Sequence, residues 1–199
     1  MSGRAENISD AISAVARRAV ANGWTSYQTP TGHPADRPDL HSDPDDLVVA
    51  VGTGLRALHD LPLEDGSPIG WQTLFEQCKQ AVELPSFDPA QLPPPYNRYD
   101  GRALLTMMTD GQPGTEERRV CHGYPELGQF MVDGGRFSGF TNLDTLTVAD
   151  QHLDLSVVHR CVHHHLGPQA VFRFYDAYGA DPDLIRLDHY ILVSHILGR

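Results

Sequence analysis

The stretch "VCHGYPELGQFMVDGGRFSGFTNLD", Val120 to Asp144, decides the fold. Just before and into it, "RRVCHG" is a short strand running into a turn. "QFMVD" and "RFSGF" are two strands joined by Gly134-Gly135, a pair that takes positive φ without a Cβ penalty. The order is strand, His-Gly turn, hairpin, Gly-Phe step. That is the outline of a phosphoryl-transfer loop. Where such a loop needs carboxylates, this one has Tyr124 and, later, Asn142.

Working outward, the flanks are helical. Upstream, Leu47, Val51, Leu55 and Leu58 line one face of a helix ending near Asp60-Leu61-Pro62. A second helix is expected from about Trp71 to Glu83, and a shorter one from Gly101 to Thr109. "LPPPYNRYDG" is a proline-rich connection between them. Downstream, Leu155, Val158 and Val162 share a face of a helix that stops at Gly167-Pro168. Val171, Phe172 and Tyr175 mark another, stopping at Gly179. Leu184, Leu187, Ile191, Leu192 and Ile196 mark the last. The expected fold is mainly α (α+β), with one embedded β-hairpin.

The N-terminal quarter differs. Ile8 to Asn22 reads as an amphipathic helix with Gly23 as its stop. "TSYQTPTGHPADRPDLHSDPDD" is rich in Pro, Asp, Ser and Thr and has no periodicity. Residues 1–46 are therefore expected to be a helix plus a linker or extended arm, and residues 47–199 the main lobe.

Composition narrows the class. The chain has 199 residues, enough for one substantial core, and a net charge of −11 with His neutral. That acidity argues against a nucleic-acid backbone as general partner. No apolar run approaches a membrane span, and the polar start "MSGRAENISD" lacks the apolar centre of a signal peptide. Cys78, Cys121 and Cys161 are odd in number and widely spaced, so a reducing, cytoplasmic setting is expected. Lys79 is the only lysine, so any chemistry needing an amine has one candidate.

From about Leu47 onward the chain resembles the C-terminal lobe of the aminoglycoside phosphotransferase family, the antibiotic kinases. "GLRALHDLP" is similar to that family's helix ending in Leu-His-x-Leu-Pro. "VCHGYPELGQFMVDGGRFSGF" is similar to its catalytic loop and hairpin, usually His-Gly-Asp-x-x-x-x-Asn, hairpin, Gly-Phe-Ile-Asp. "VADQHLDLSVV" resembles its Ala-Asp-x-x-x-Asp-Leu-Ala helix start, and "FYDAYGADPD" and "LDHYILVSHIL" its last two helices. These matches run in order over about three quarters of the chain. The resemblance implies a kinase-like helical lobe.

The same resemblance shows what has changed. Tyr124 stands where the family has its catalytic Asp, Gln129 where it has the metal-binding Asn, and Asn142 where it has the second metal-binding Asp. A phenol titrating near 10 cannot replace a carboxylate base at neutral pH, and a lost base costs about 10²–10⁴-fold. Asn142 keeps the shape of Asp without the charge that a hard Mg²⁺ prefers. The segment before Leu47 is too short for the family's phosphate-binding β-lobe and carries no lysine. Where aminoglycoside-modifying members have an acidic cluster for the cationic drug, this chain reads Val193-Ser194-His195.

The expectation is thus a catalytically inactive, truncated relative acting as a protein-binding or regulatory module, with no cofactor. The alternatives are an atypical phosphotransferase using ATP and Mg²⁺ with a lobe from a partner, or a non-catalytic small-molecule binder. A partner, either another protein or a second copy, is expected over the face left uncovered. His122 is expected to be a loop residue bonding nearby backbone. Asp150 and Asp154 are expected to cap and orient their helix. In "HRCVHHHLG", His159 with His163 and Cys161 with His165 have i, i+4 spacing that suits Zn²⁺, although a solvent-facing row of histidines explains them equally.

Overall fold

A computed structural model describes residues 30–42, 44–63 and 70–198. The helix expected over Ile8–Asn22 lies outside the described residues. Six α-helices are described: α1 (Pro44–His59), α2 (Trp71–Val82), α3 (Gly101–Asp110), α4 (His152–Leu166), α5 (Pro168–Tyr178) and α6 (Leu184–Ile196). Five short strands accompany them: β1 (His33–Pro34), β2 (Arg118–Cys121), β3 (Phe130–Asp133), β4 (Arg136–Phe140) and β5 (Thr147–Asp150). The chain is mainly α with small sheets, as the periodicity implies.

The helices start and stop for local reasons. Asp100 accepts from Ala103 N at the head of α3, and Asp183 accepts from Ile185 N and Arg186 N at the head of α6. Gly179 ends α5 in the left-handed conformation. The helices are held by burial rather than propensity, since each fully buried Leu or Phe is worth about 1.5–3 kcal/mol. One core joins Leu47, Val51, Leu55 and Leu58 of α1 to Phe130 and Phe140 of the hairpin, Val158 and Val162 of α4, and Phe174 of α5. A second core joins Cys78, Leu104 and Met108 to Leu192, Val193 and Ile196.

Three features depart from the sequence expectations. Thr147–Asp150, taken as the approach to a helix, is a strand pairing antiparallel with β2. Phe172 and Leu184, assigned to the apolar faces of α5 and α6, are 66% and 67% exposed. Val171, one residue before Phe172, and Leu187, three after Leu184, are buried as expected. Third, the proline- and aspartate-rich stretch is not featureless. Its residues His33 and Pro34 pair with Val132 and Met131, so the hairpin becomes a three-stranded sheet of order β1-β3-β4. Ala35 is fully buried and its N–H donates to Phe130 O at 2.9 Å. Among the described residues no helix is long and apolar enough to cross a membrane.

Candidate functional site

The loop from His122 to Gln129 sits between β2 and β3, and one buried carboxylate shapes it. Asp154, on α4, accepts from His122 N at 2.6 Å and from Gly123 N at 2.8 Å. It does not cap its own helix: the N-cap position is Gln151, and the carboxylate of Asp154 is spent on the loop. Asp150 does serve the head of α4, accepting from His152 N at 2.9 Å, and also takes Glu117 N and Arg186 Nη1. Gly123 has φ +89, and a Cβ there would lie 2.3 Å from Thr145 O, so only glycine fits the turn.

Asp154 is itself held by a buried chain. Gln151 Nε2 donates to a Glu117 carboxylate oxygen, which turns its Oε1 toward the Tyr178 hydroxyl, 3.0 Å away. The Tyr178 hydroxyl lies 2.7 Å from His59 Nδ1, and His59 Nε2 lies 3.2 Å from Asp154 Oδ2. The chain of contacts therefore runs from Glu117 through Gln151, Tyr178 and His59 to Asp154. Sequence analysis had His59 only as part of the Leu-His-x-Leu-Pro pattern; Tyr178 and Gln151 carried no signal, because their contact spans a fold rather than a motif.

His59, Cys121 and Asp154 place one ligand atom each within 4.8 Å of one another. These atoms are already engaged. Asp154 takes both loop amides and His59. The Cys121 thiol faces the carbonyls of Arg119, Ala149 and Asp150, and burial followed by the Asp154 charge pushes it well above the ordinary range. The trio is a hydrogen-bonded core.

Tyr124, Gln129 and Asn142 lie around this loop. The Tyr124 hydroxyl donates to Glu126 Oε1 at 2.6 Å; burial, then that bond, pushes the phenol up to about 12. The Gln129 side-chain Oε1 accepts from Thr141 Oγ1 at 2.8 Å, and Gln129 O accepts from Thr141 N at 2.9 Å. Asn142 is exposed and left-handed at φ 54, a conformation that Asn and Asp tolerate better than other side chains. His122 is buried, and its Nε2 bonds the Thr141 carbonyl at 2.9 Å. A Mg²⁺ ion does not fit this donor set. Position 142 offers a neutral amide, and the amide oxygen at 129 is taken by a hydroxyl.

The histidine-rich helix end does not form the spacing-based metal site. His159 is half-buried with Nδ1 3.3 Å from the Tyr175 hydroxyl, while His163 and His165 are exposed and Cys161 is half-buried. Among the described residues no three of these four bring ligand atoms within 4.8 Å of one another. Lys79 is exposed on α2, 4.0 Å from Glu76. On α6, His195 lies against the Arg160 guanidinium, 3.3 Å from Nδ1, and beside the Tyr96 ring. A cleft of about 580 Å³ between the head of α2 and the Gln112–Glu116 segment lies at Arg118, the end of β2 away from the loop.

Known proteins are similar to this chain in sequence and in fold. The family described as "Phosphotransferase enzyme family" matches residues 23–188. An aminoglycoside 3'-phosphotransferase of Niallia circulans is 29% identical over 146 residues, 70% of this chain and 55% of that protein. The chain thus spans about half the length of that relative. The crystal structure of aminoglycoside-3'-phosphotransferase of type VIII superposes with a TM-score of 0.79 at 22% identity, covering 95% of this chain and 82% of the other. Aminoglycoside phosphotransferase APH(3'')-Id from Streptomyces rimosus gives a TM-score of 0.71 at 24% identity, covering 85% and 67%. With a family match running over residues 23–188, the chain belongs to the phosphotransferase enzyme family.

Proposed function

We propose that this protein is a catalytically inactive, aminoglycoside-phosphotransferase-like module that works by binding rather than by phosphoryl transfer. The observation that carries the proposal is the state of three side chains. Tyr124 is bonded to Glu126, Gln129 to Thr141, and Asn142 is neutral and exposed. None presents a carboxylate where the family's base and metal ligands stand. The scaffold around them is intact, because Asp154 still holds both loop amides. Protein contact is proposed on the face around the loop and hairpin. The partner is a second copy or another protein.

Isothermal titration calorimetry with ATP and Mg²⁺ tests the inactive assignment. No binding heat is expected, and micromolar affinity would overturn it. Light scattering on the purified chain separates self-association from a foreign partner.

One contact favours a second reading, an atypical ATP-dependent phosphotransferase completed by a partner chain. The 2.6 Å bond from Tyr124 leaves the Glu126 carboxylate one hydrogen bond beyond position 124. Turnover that appears on mixing with a partner and disappears in Glu126→Gln would support it.

A further inference from the structure

The histidines at the end of α4 meet a residue that their spacing does not reveal. His41, in the short helical turn Pro38–Ser42, brings its ring centroid to 6.0 Å from that of His165. His164 lies 4.8 Å from His165 and edge-on to it. We propose that His41 and His165 form a surface site for a borderline divalent transition-metal ion of the Zn²⁺ or Ni²⁺ class, which clips residues 30–42 to the end of α4.

Three observations carry this. The first is distance. A metal–nitrogen bond of about 2.0–2.1 Å puts each ring centroid roughly 3.2 Å from the ion, so two imidazoles on one ion have centroids about 5–6.4 Å apart. The 6.0 Å separation falls in that range without backbone movement. The second is orientation. His41 Nε2 lies 3.1 Å from the Ala35 carbonyl. A ring that donates one N–H to a carbonyl turns the lone pair of its other nitrogen outward, the arrangement typical of metal-ligating histidine. The third is the electrostatic setting. His165 is in the last turn of a 15-residue helix, whose C-terminal end favours a cation. Water fills the remaining coordination positions, with His164 next in reach on side-chain rotation.

The clip would act on the loop through a short path. His41 bonds Ala35, Ala35 N–H bonds Phe130 O, and a Cβ on Gly128 would fall 2.8 Å from Asp36 Oδ2. Fixing His41 therefore fixes Ala35 and Asp36, which lie against Phe130 and Gly128. This goes beyond the proposed function and does not depend on whether the loop is inactive.

The test is calorimetry with ZnCl₂, and separately NiCl₂, on the full chain stripped with EDTA and carrying no histidine tag. Thermal melts run in parallel. One equivalent bound in the micromolar range is expected, with a rise in Tm on adding metal. His165→Ala and His41→Gln should each weaken binding at least tenfold and abolish the Tm rise. The glutamine can still donate to Ala35 O, so its fold, checked by circular dichroism, is preserved. His163→Ala should change nothing. No binding heat overturns the proposal. So does unchanged affinity in His41→Gln, which would leave the ion on the helix histidines alone.

Discussion

Gly123 N–H donates to Asp154 Oδ1 across 31 residues of chain, at 2.8 Å and out of contact with solvent. With the adjacent bond from His122 N, one carboxylate fixes the His122–Gly123 turn. Removing it leaves two buried amides and His59 without their acceptor. Breaking such a buried, charged arrangement costs about 3–5 kcal/mol. Asp154→Ala is therefore expected to lose that much stability in urea denaturation. A loss under 1 kcal/mol would show that the loop is held elsewhere.

Tyr124→Asp should restore a carboxylate without restoring turnover. Gln129 stays tied to Thr141, and Asn142 stays neutral, so the metal side of the site is unchanged. A coupled assay for nucleotide hydrolysis and transfer should read background for this variant. Turnover from the single change would mean that the base alone was missing.

Acid should weaken the fold in a defined window. Burial pushes His189 down to about 4, against the opposing pull of Asp150 and Asp188, while the Trp71 and Tyr190 rings and Gly111 close around it. Burial and then Arg160 push His195 down to about 4 as well. In the unfolded chain these rings take up a proton near 6.5. Between about 6.5 and 4 the unfolded state therefore binds more protons. Stability is full above 6.5 and falls as pH drops toward 4, by at most about 1.4 kcal/mol per pH unit for His189. Denaturant midpoints at pH 7, 6 and 5 should decline, and His189→Phe should flatten the decline.

Helix α1 crosses α5 at a glycine. A Cβ on Gly52 would lie 2.8 Å from both Ala177 Cβ and Phe174 O, whereas one on Gly114 would meet nothing within 4 Å. Gly52→Ala should destabilise the protein by about 1–3 kcal/mol through overpacking. Gly114→Ala serves as its neutral control. Equal midpoints for the two variants would mean that the helices part at no cost.

Much of this architecture was legible beforehand, because helical periodicity and the Gly134-Gly135 turn are local signals. Leu47, Val51, Leu55 and Leu58 announce α1, and all four are buried. Tyr124, Gln129 and Asn142 are singled out only by the resemblance of the loop and hairpin to the family's motif. What escaped was non-local. Strand β5 is recognisable only once β2 lies beside it, with Val148 opposite Val120. Asp154 looks like a helix cap in sequence, and only the fold shows its oxygens turned to His122 and Gly123. His41 lies in a stretch without periodicity, so nothing linked it to His165.

The two-residue strand His33–Pro34 has a further consequence, for how the protein can be cut. It occupies the edge of β3, and an open strand edge invites pairing with another chain. Ala35 also fills part of the main core. A protein trimmed to begin at Leu47, the boundary that composition suggests, would shed both the edge guard and a core residue. Such a fragment should be prone to associate through β3, so a well-behaved shortened form begins ahead of Thr31 and keeps the guard in place.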